Sequence, residues 1–249
     1  MDDLLINKIF ENINRNDIYP GCIIASISKQ MPNYYFHWTR DAALIMRVLV
    51  KHYKKRGDLR CFRQIINYIN VECKFQNLQT QGGLGEPKYN INCTAFNGSW
   101  GRPQNDGPAL RGIILFQIIE LFSYKYETII QQLILPIIIR DLEYLLNNYR
   151  KVSFDIWEEK KGWHFYTRMV QTKFLKEALR YKKLFQGNID IELVTTTYQS
   201  LLNDLKDHIN GETIISSFDE NGKIIKYEDA ANLLAFCHIN YDEEILKTV

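Results

Sequence analysis

The sequence predicts an all-α fold. Apolar residues recur at three- and four-residue steps along most of the 249 residues, and this is the spacing of one helix face. Segments in which apolar and polar residues alternate, as in a half-buried strand, are few. The segments between the periodic stretches are long and rich in Gly, Trp, Asn and Asp, so we expect the loops to carry the functional site.

Eight segments have this helical periodicity: 4–13, 41–53, 58–71, 109–122, 127–149, 164–184, 191–209 and 228–238. The second follows Thr39 and begins with an acidic residue, as helix N-termini favour. Gly107 and Pro108 introduce the fourth segment, and proline suits the first turn of a helix. Pro136 lies inside the fifth and predicts a kink or an early break there.

Composition excludes several classes of partner. Hydrophobic residues make up 46% of the chain, and the formal net charge is only +2, so no basic field points to nucleic acid. The longest apolar stretches, around 113–119 and 130–139, are too short and interrupted to span a bilayer. We therefore expect neither a nucleic acid nor a membrane as partner.

Cysteine usage and the N-terminus set two further expectations. The five cysteines are odd in number and form no C-x-x-C pair, so we predict neither a metal site nor a disulfide framework, and nothing implies a cofactor. They are Cys22, Cys61, Cys73, Cys93 and Cys237. Residues 1–8 lack a basic region followed by an apolar stretch, so no secretory signal is visible and a cytoplasmic location is expected.

Three loop segments combine tryptophan with charged residues: 34–41, 83–108 and 154–159. A pyranose ring has an apolar face of C–H bonds, which flat aromatic rings cover, and a rim of hydroxyls that carboxylates and arginine bind. The alternative for any single tryptophan is that it anchors its loop to the core. Three of the four tryptophans lie in these segments, which favours a sugar site. They are Trp38, Trp100 and Trp157.

Glu158 and Glu159 follow Trp157 directly. Glycoside hydrolysis normally uses two carboxyl groups that flank the scissile bond, and neighbouring residues point in different directions, so these two are not that pair. One of them is expected to protonate the glycosidic oxygen, because a partly dry pocket beside an indole keeps a carboxyl group protonated. The alternative is a solvated charge pair.

These segments resemble the signature regions of glucoamylases, the inverting glucosidases of glycoside hydrolase family 15. Four motifs occur in the family's order: Y-x-x-x-W-T-R-D at 34–41, G-L-G-E-P-K-F/Y-N at 83–90, G-S-W-G-R-P-Q-x-D-G-P-A-L-R at 98–111, and D-L-W-E-E at 155–159 with Ile156 in place of leucine. Shorter matches at 21–26 and 229–234 extend the resemblance over nearly the whole chain.

The resemblance implies a fold and an activity. The family fold is a barrel of six helix pairs, an (α/α)6 barrel, of which residues 1–249 would be the N-terminal part of a single catalytic domain. The implied activity is hydrolysis, with inversion, of terminal α-1,4-linked glucose at the non-reducing ends of starch- or glycogen-like glucans. No cofactor is implied, and the expected partner is an α-glucan or malto-oligosaccharide.

The resemblance also assigns roles to nine residues of these motifs. Glu158 would be the general acid, and Asp155 would support it through the local hydrogen-bond network. The others would contact the substrate: Arg40 and Asp41 bind the outer hydroxyls of the terminal glucose, Tyr34 and Trp38 line that pocket, Trp100 packs over the substrate, Trp157 borders the cleavage point, and Glu159 binds hydroxyls of the leaving-side sugar.

One departure from the family pattern leaves alternatives open. Family members place the general base on a late loop of the barrel, which no residue of this chain matches, so we expect the base to lie outside this chain and the chain alone to be inactive. An incomplete ring would expose inner helix faces such as 113–119. The open alternatives are an inactive remnant or carbohydrate-binding fragment, a half-barrel completed by a second chain, and a sister activity on trehalose or dextran.

Overall fold

The computed structural model describes residues 3–13, 15–185 and 187–247. Helices dominate these ranges. They are α1 (Asp3–Ile13), α2 (Thr39–Arg56), α3 (Leu59–Gln76), α4 (Asp106–Phe122), α5 (Glu127–Ile129), α6 (Leu135–Asn148), α7 (Phe165–Arg180), α8 (Ile191–Lys206), α9 (Ala230–His238) and α10 (Glu243–Leu246). Each of the eight predicted segments contains a helix, and α10 is the helix that periodicity missed.

Short strands fill the connections between helices. One antiparallel sheet has the order β1 (His37–Trp38), β2 (Lys88–Asn90) and β3 (Thr94–Ala95). A second has the order β4 (Ser153–Phe154), β5 (Lys161–His164), β8 (Ser217–Phe218) and β9 (Ile224–Lys226), and β6 (Ile209–Asn210) pairs with β7 (Thr213–Ile214). Strands of two to four residues are too short for a period of two to be visible in the sequence.

The chain between α2 and α3 turns sharply. Gly57 ends α2 with φ of 68°, a left-handed conformation that glycine adopts without steric cost. Asp58 then caps α3, because its side chain accepts a hydrogen bond from the backbone N–H of Arg60. The predicted start of this helix is thus confirmed, and the helix continues to Gln76, beyond the predicted end.

The fifth predicted helix contains a widened turn. A π-helical turn, Ile130–Ile134, separates α5 from α6, and Pro136 is the second residue of α6. Proline has no backbone N–H and cannot complete the regular hydrogen-bond ladder. The irregularity predicted at Pro136 takes the form of this turn.

Helix α4 overturns one expectation. Its apolar residues from Ile113 to Ile119 were expected to be exposed, but they are all buried. The helix is apolar around nearly its whole circumference, and Glu120 is the one exposed residue in its second half. A helix apolar on all sides is stable when it is covered all round, and the described part of the chain covers it.

Contacts divide the chain into two compact units. The first comprises Met1–Gly98 and Ile114–Ile138, and the second comprises Ser99–Ile113 and Ile139–Val249. In the first unit α2 packs on α3, and in the second α7 packs on α8 and α9. That the residues form part of a single catalytic domain stays a prediction. No helix within the described ranges is both long enough and apolar enough to cross a membrane.

Candidate active site

In the first unit, pairing of β1 with β2 joins two of the predicted motifs. His37 is opposite Tyr89, and Trp38 is opposite Lys88. The backbone N–H of Thr39 donates to the carbonyl of Pro87 at 3.0 Å. These bonds fix the position of the backbone just before α2 begins. They therefore fix the orientation of the first residues of α2.

A buried histidine fixes the same strand from its other side. The Nδ1 atom of His37 accepts a hydrogen bond from the backbone N–H of Ile23 at 3.0 Å. The ring proton therefore lies on Nε2, which donates to Oε1 of Glu72 at 3.0 Å. Both side chains are fully buried. Sequence reasoning gave neither residue a role, because nothing in the sequence brings positions 37 and 72 together.

Trp38 lies in an aromatic cluster around a buried lysine. Its ring centroid is 5.8 Å from that of Tyr34 and 5.8 Å from that of Phe36. The Nζ atom of Lys88 lies 4.7 Å from the Trp38 ring and 4.3 Å from the Phe96 ring, within reach of cation–π attraction. Trp38 is only 3% exposed, whereas Tyr34 is 42% exposed. Within this unit Tyr34 is therefore the ring with more surface open to a ligand.

Arg40 and Asp41 lie in the first turn of α2. The Nε atom of Arg40 is 3.9 Å from Oδ2 of Asp41, and the side chain of Asp41 is 41% exposed. Trp38 occupies the N-cap position and makes no capping bond with its side chain. A carboxylate in the first turn interacts favourably with the helix dipole, and this one also keeps a surface on which hydroxyl groups can donate.

In the second unit, residues 155–159, which contain the predicted general acid Glu158, form a tight turn after β4. We call this segment the acid loop. The backbone N–H of Glu158 donates to the carbonyl of Asp155 at 3.0 Å, and that of Asp155 donates to the carbonyl of Lys160 at 2.9 Å. Glu158 has φ of 66°, a left-handed conformation that costs a residue with a side chain about 1–2 kcal/mol. Strained residues of this kind cluster at functional sites.

Asp155 holds this turn together. Its Oδ1 accepts from the backbone N–H groups of Glu159, at 2.8 Å, and Lys160, at 3.1 Å. Burial favours a higher pKa for the Asp155 carboxyl, but hydrogen bonds from Lys226 and from these N–H groups outweigh it and hold the pKa below its ordinary value. Asp155 is therefore an ionised, fully engaged carboxylate, which fits its predicted supporting role.

Glu158 is held by a residue of another motif. The Nε2 atom of Gln104 donates to Oε1 of Glu158 at 2.9 Å. The two segments meet in a second place, where the backbone N–H of Phe154 donates to the carbonyl of Pro103 at 2.9 Å. A Cβ at Gly101 would come within 2.8 Å of the Phe154 ring. Gln104 belongs to the motif at 98–111, but the sequence alone predicted no role for it.

Lys226, on β9, ties several carboxylates together. Its Nζ lies 2.8 Å from Oδ2 of Asp155, 3.3 Å from Oε2 of Glu159 and 3.3 Å from Oδ2 of Asp229. Asp229 in turn accepts a hydrogen bond from Nε1 of Trp157 at 2.7 Å. Sequence reasoning missed Lys226, because a lone lysine some seventy positions from the acid loop carries no motif of its own.

The second unit thus contains a proton-donor candidate, two tryptophans and a network of charged side chains. Glu158 is half-buried, while Trp157 is 45% exposed and Trp100 is 37% exposed. The side chain of Glu159 is 64% exposed. Within this unit the arrangement offers two partly exposed indoles and a carboxyl group held by a hydrogen bond, which are the kinds of group needed to stack on a sugar and protonate its glycosidic oxygen.

Comparison with known families agrees with the motifs. The model of "Glycosyl hydrolases family 15" matches residues 2–244. A "Probable glucoamylase" of Schizosaccharomyces pombe is 33% identical over 98% of this chain, which spans 56% of that protein. The "Glucoamylase, intracellular sporulation-specific" of Saccharomyces cerevisiae is 34% identical over 83% of this chain, which spans 41% of that protein.

Solved structures give the same result. The "Glycoside Hydrolase Family 15 Glucoamylase from Hypocrea jecorina" matches 88% of this chain with a TM-score of 0.81 and 30% identity, and the match covers 39% of that chain. The glucoamylase from Saccharomycopsis fibuligera matches with a TM-score of 0.78, and the match covers 50% of it. The predicted fold class, a helical (α/α)6 barrel that is incomplete in this chain, is confirmed. The chain spans about half the length of these relatives or less.

Proposed function

The chain belongs to glycosyl hydrolases family 15, and we propose that residues 1–249 supply the sugar-binding and proton-donating groups for removing terminal α-1,4-linked glucose from the non-reducing ends of starch- or glycogen-like glucans. The observation that carries this proposal is the turn at Glu158, which Gln104 holds by the carboxyl group and Asp155 holds by the backbone. The relatives are named glucoamylases, which supports the substrate class.

In this proposal Glu158 is the general acid. It gives its proton to the glycosidic oxygen as the bond from that oxygen to C1 of the terminal glucose breaks, and the shortened glucan leaves as an alcohol. Water attacks C1 from the opposite face while a general base takes its proton, so the product is β-glucose. Because Gln104 donates to Oε1, the transferable proton belongs on Oε2.

The proposed substrate-binding roles belong mainly to exposed side chains in each of the two units. Asp41 accepts hydrogen bonds from the outer hydroxyls of the terminal glucose, and Arg40 donates to them. The open faces of Trp100 and Trp157 cover the apolar faces of the sugars, and Glu159 binds hydroxyls on the leaving side. Tyr34 and Trp38 line the terminal subsite, where Tyr34 offers the larger open surface.

We also place the general base outside residues 1–249. Inversion needs a second carboxylate about 6.5–9.5 Å from the acid, across the scissile bond. Asp155 is fully engaged by two backbone N–H groups and Lys226. Glu159 is next to Glu158 in the same turn and pairs with Lys226. The base would come from further residues of the same polypeptide or from a second chain.

A second candidate function is glucan binding without catalysis. The exposed rings of Tyr34, Trp100 and Trp157 favour it, since stacking on sugars needs no base. We also propose a cytoplasmic location, which the Saccharomyces cerevisiae relative that is named intracellular supports.

Glucose release from maltotriose tests where the base lies. We expect the purified chain to release no more glucose than its Glu158→Gln variant, which is the control for contaminating glucosidases. Binding of maltotriose by both proteins, measured by calorimetry, shows that the sugar site is intact. Glucose release well above the control would contradict the placement of the base outside these residues.

A further inference from the structure

A histidine, an aspartate and a cysteine meet at the turn between α2 and α3. They are His52, Asp58 and Cys61, and their donor atoms (an imidazole nitrogen, a carboxylate oxygen and a sulfur) all lie within 4.8 Å of one another. None of them belongs to the motifs of the proposed active site. The spacing H-x5-D-x2-C matches no familiar metal motif, which is why the sequence predicted no metal here.

The backbone of the turn fixes this arrangement. The left-handed Gly57 ends α2, and Asp58 caps α3 with Oδ1, which accepts from the N–H of Arg60 at 2.9 Å. Its Oδ2 lies 3.7 Å from Nε2 of His52. Cys61 follows three residues later, so its side chain is on the same helix face as Asp58.

The two softer donors are buried and make no hydrogen bond. His52 is 4% exposed, and Cys61 is a fully buried free thiol. Neither side chain is hydrogen-bonded to a residue in the described ranges, and the 3.7 Å between His52 and Asp58 is too long for one. The imidazole thus has only a long contact with the Asp58 carboxylate, and it lines a cavity through which a ligand can reach it.

The cluster also has an entry path. His52 and Asp58 line a cavity of about 470 Å³ together with Asp3, Asn7, Arg56 and Arg60. The cavity gives a hydrated ion access to the ring nitrogen and to the carboxylate. It also leaves the fourth position of a tetrahedral site open to water.

We propose that His52, Asp58 and Cys61 bind a zinc-like divalent transition-metal ion. The donor set of nitrogen, sulfur and carboxylate oxygen suits Zn²⁺ and not Mg²⁺ or Ca²⁺, which take oxygen ligands. With bonds of about 2.0–2.3 Å, tetrahedral ligand atoms lie roughly 3.3–3.8 Å apart. The His52 nitrogen and the Asp58 oxygen are already 3.7 Å apart, and no pair of donor atoms is more than 4.8 Å apart, so the closure needed when the ion binds is at most about 1 Å.

Two groups at the site compete with the ion: the thiol proton of Cys61 and the guanidinium group of Arg60. Metal ions bind cysteine as the thiolate, so binding replaces the thiol proton of Cys61, which leaves to solvent as the metal–sulfur bond forms. Arg60 donates to Oδ2 of Asp58 at 2.8 Å and must release that oxygen. Removing this competitor strengthens metal binding, which a structural role of the cluster does not predict.

Titration with Co²⁺, a spectroscopic substitute for Zn²⁺, tests the site. We expect a near-ultraviolet sulfur-to-cobalt absorption that saturates at one equivalent and disappears on addition of Zn²⁺. Cys61→Ser removes the absorption, His52→Gln weakens binding about tenfold or more, and Arg60→Met strengthens it. The exposed Cys237 supplies the matched control, since Cys237→Ser leaves the absorption unchanged.

The proposal can still be tested if one of the variants folds poorly. Circular dichroism identifies variants that have lost their helices, and His52→Gln and Arg60→Met test the site without touching the thiol. A wild-type chain without the absorption, an absorption that persists in folded Cys61→Ser, or equal affinity in folded His52→Gln would each overturn the proposal.

Discussion

At the scale of single residues, Asp41 separates sugar binding from helix capping. Its carboxylate lies in the first turn of α2 and is 41% exposed. Asparagine keeps the shape of the side chain but replaces one acceptor oxygen with a donor. We expect Asp41→Asn to lower the stability of the fold by at most about 1 kcal/mol and to weaken maltotriose binding about tenfold. Calorimetry and urea unfolding measure the two effects, and an unchanged affinity would count against a role in binding.

Glu158 offers a second test at this scale, through its backbone. Its φ of 66° favours glycine, whereas in most positions alanine is the more stable residue. Glu158→Gly and Glu158→Ala lose the same carboxyl group and the same bond to Gln104, so their difference reports the backbone alone. We expect the glycine variant to be more stable by about 1 kcal/mol in urea unfolding. An alanine variant of equal or greater stability would show that the turn is not strained.

At the scale of elements, Lys226 of β9 links the acid loop to the segment before α9. It contacts Asp155, Glu159 and Asp229. Lys226→Met keeps the aliphatic stem and leaves the buried Asp155 and the half-buried Asp229 without their cation. We expect a loss of about 2–4 kcal/mol at pH 7. The control is Lys223→Met in the hairpin between β8 and β9, because Lys223 is exposed.

The pH dependence of this loss follows from the pKa shifts. The pKa values of Asp155 and Asp229 are held below the ordinary 3.8, since hydrogen bonds outweigh the effect of burial. Their contribution to stability is therefore present above about pH 4 and is lost as the pH falls through the folded-state values. The pKa of Lys226 is raised above 10.5, so its contribution persists up to that pH. The difference between the wild type and Lys226→Met should shrink at pH 3, and a constant difference from pH 7 to pH 3 would contradict the link.

At the scale of the whole molecule, the sequence predicted the features that depend on residues close together in the chain. Helical periodicity located each long helix, and the four motifs identified the family and its candidate residues. The strands were missed because two to four residues carry no readable period. The burial of Ile113–Ile119 and the roles of Gln104 and Lys226 depend on contacts across tens of residues. The left-handed Glu158 also escaped, because local preference gives no reason for a glutamate there.

We propose that this chain carries the general acid of an inverting glucosidase and that the base lies outside residues 1–249. Azide tests it most directly, because this anion attacks C1 without deprotonation and replaces both water and base. With maltose and azide, the account predicts β-glucosyl azide and glucose from the wild-type chain, and almost none from Glu158→Gln, since glycosidic oxygen leaves only when it is protonated. With α-glucosyl fluoride, whose leaving group needs no proton, the variant should match the wild type. The absence of glucosyl azide from both substrates, or equal yields from maltose in the two proteins, would contradict the account.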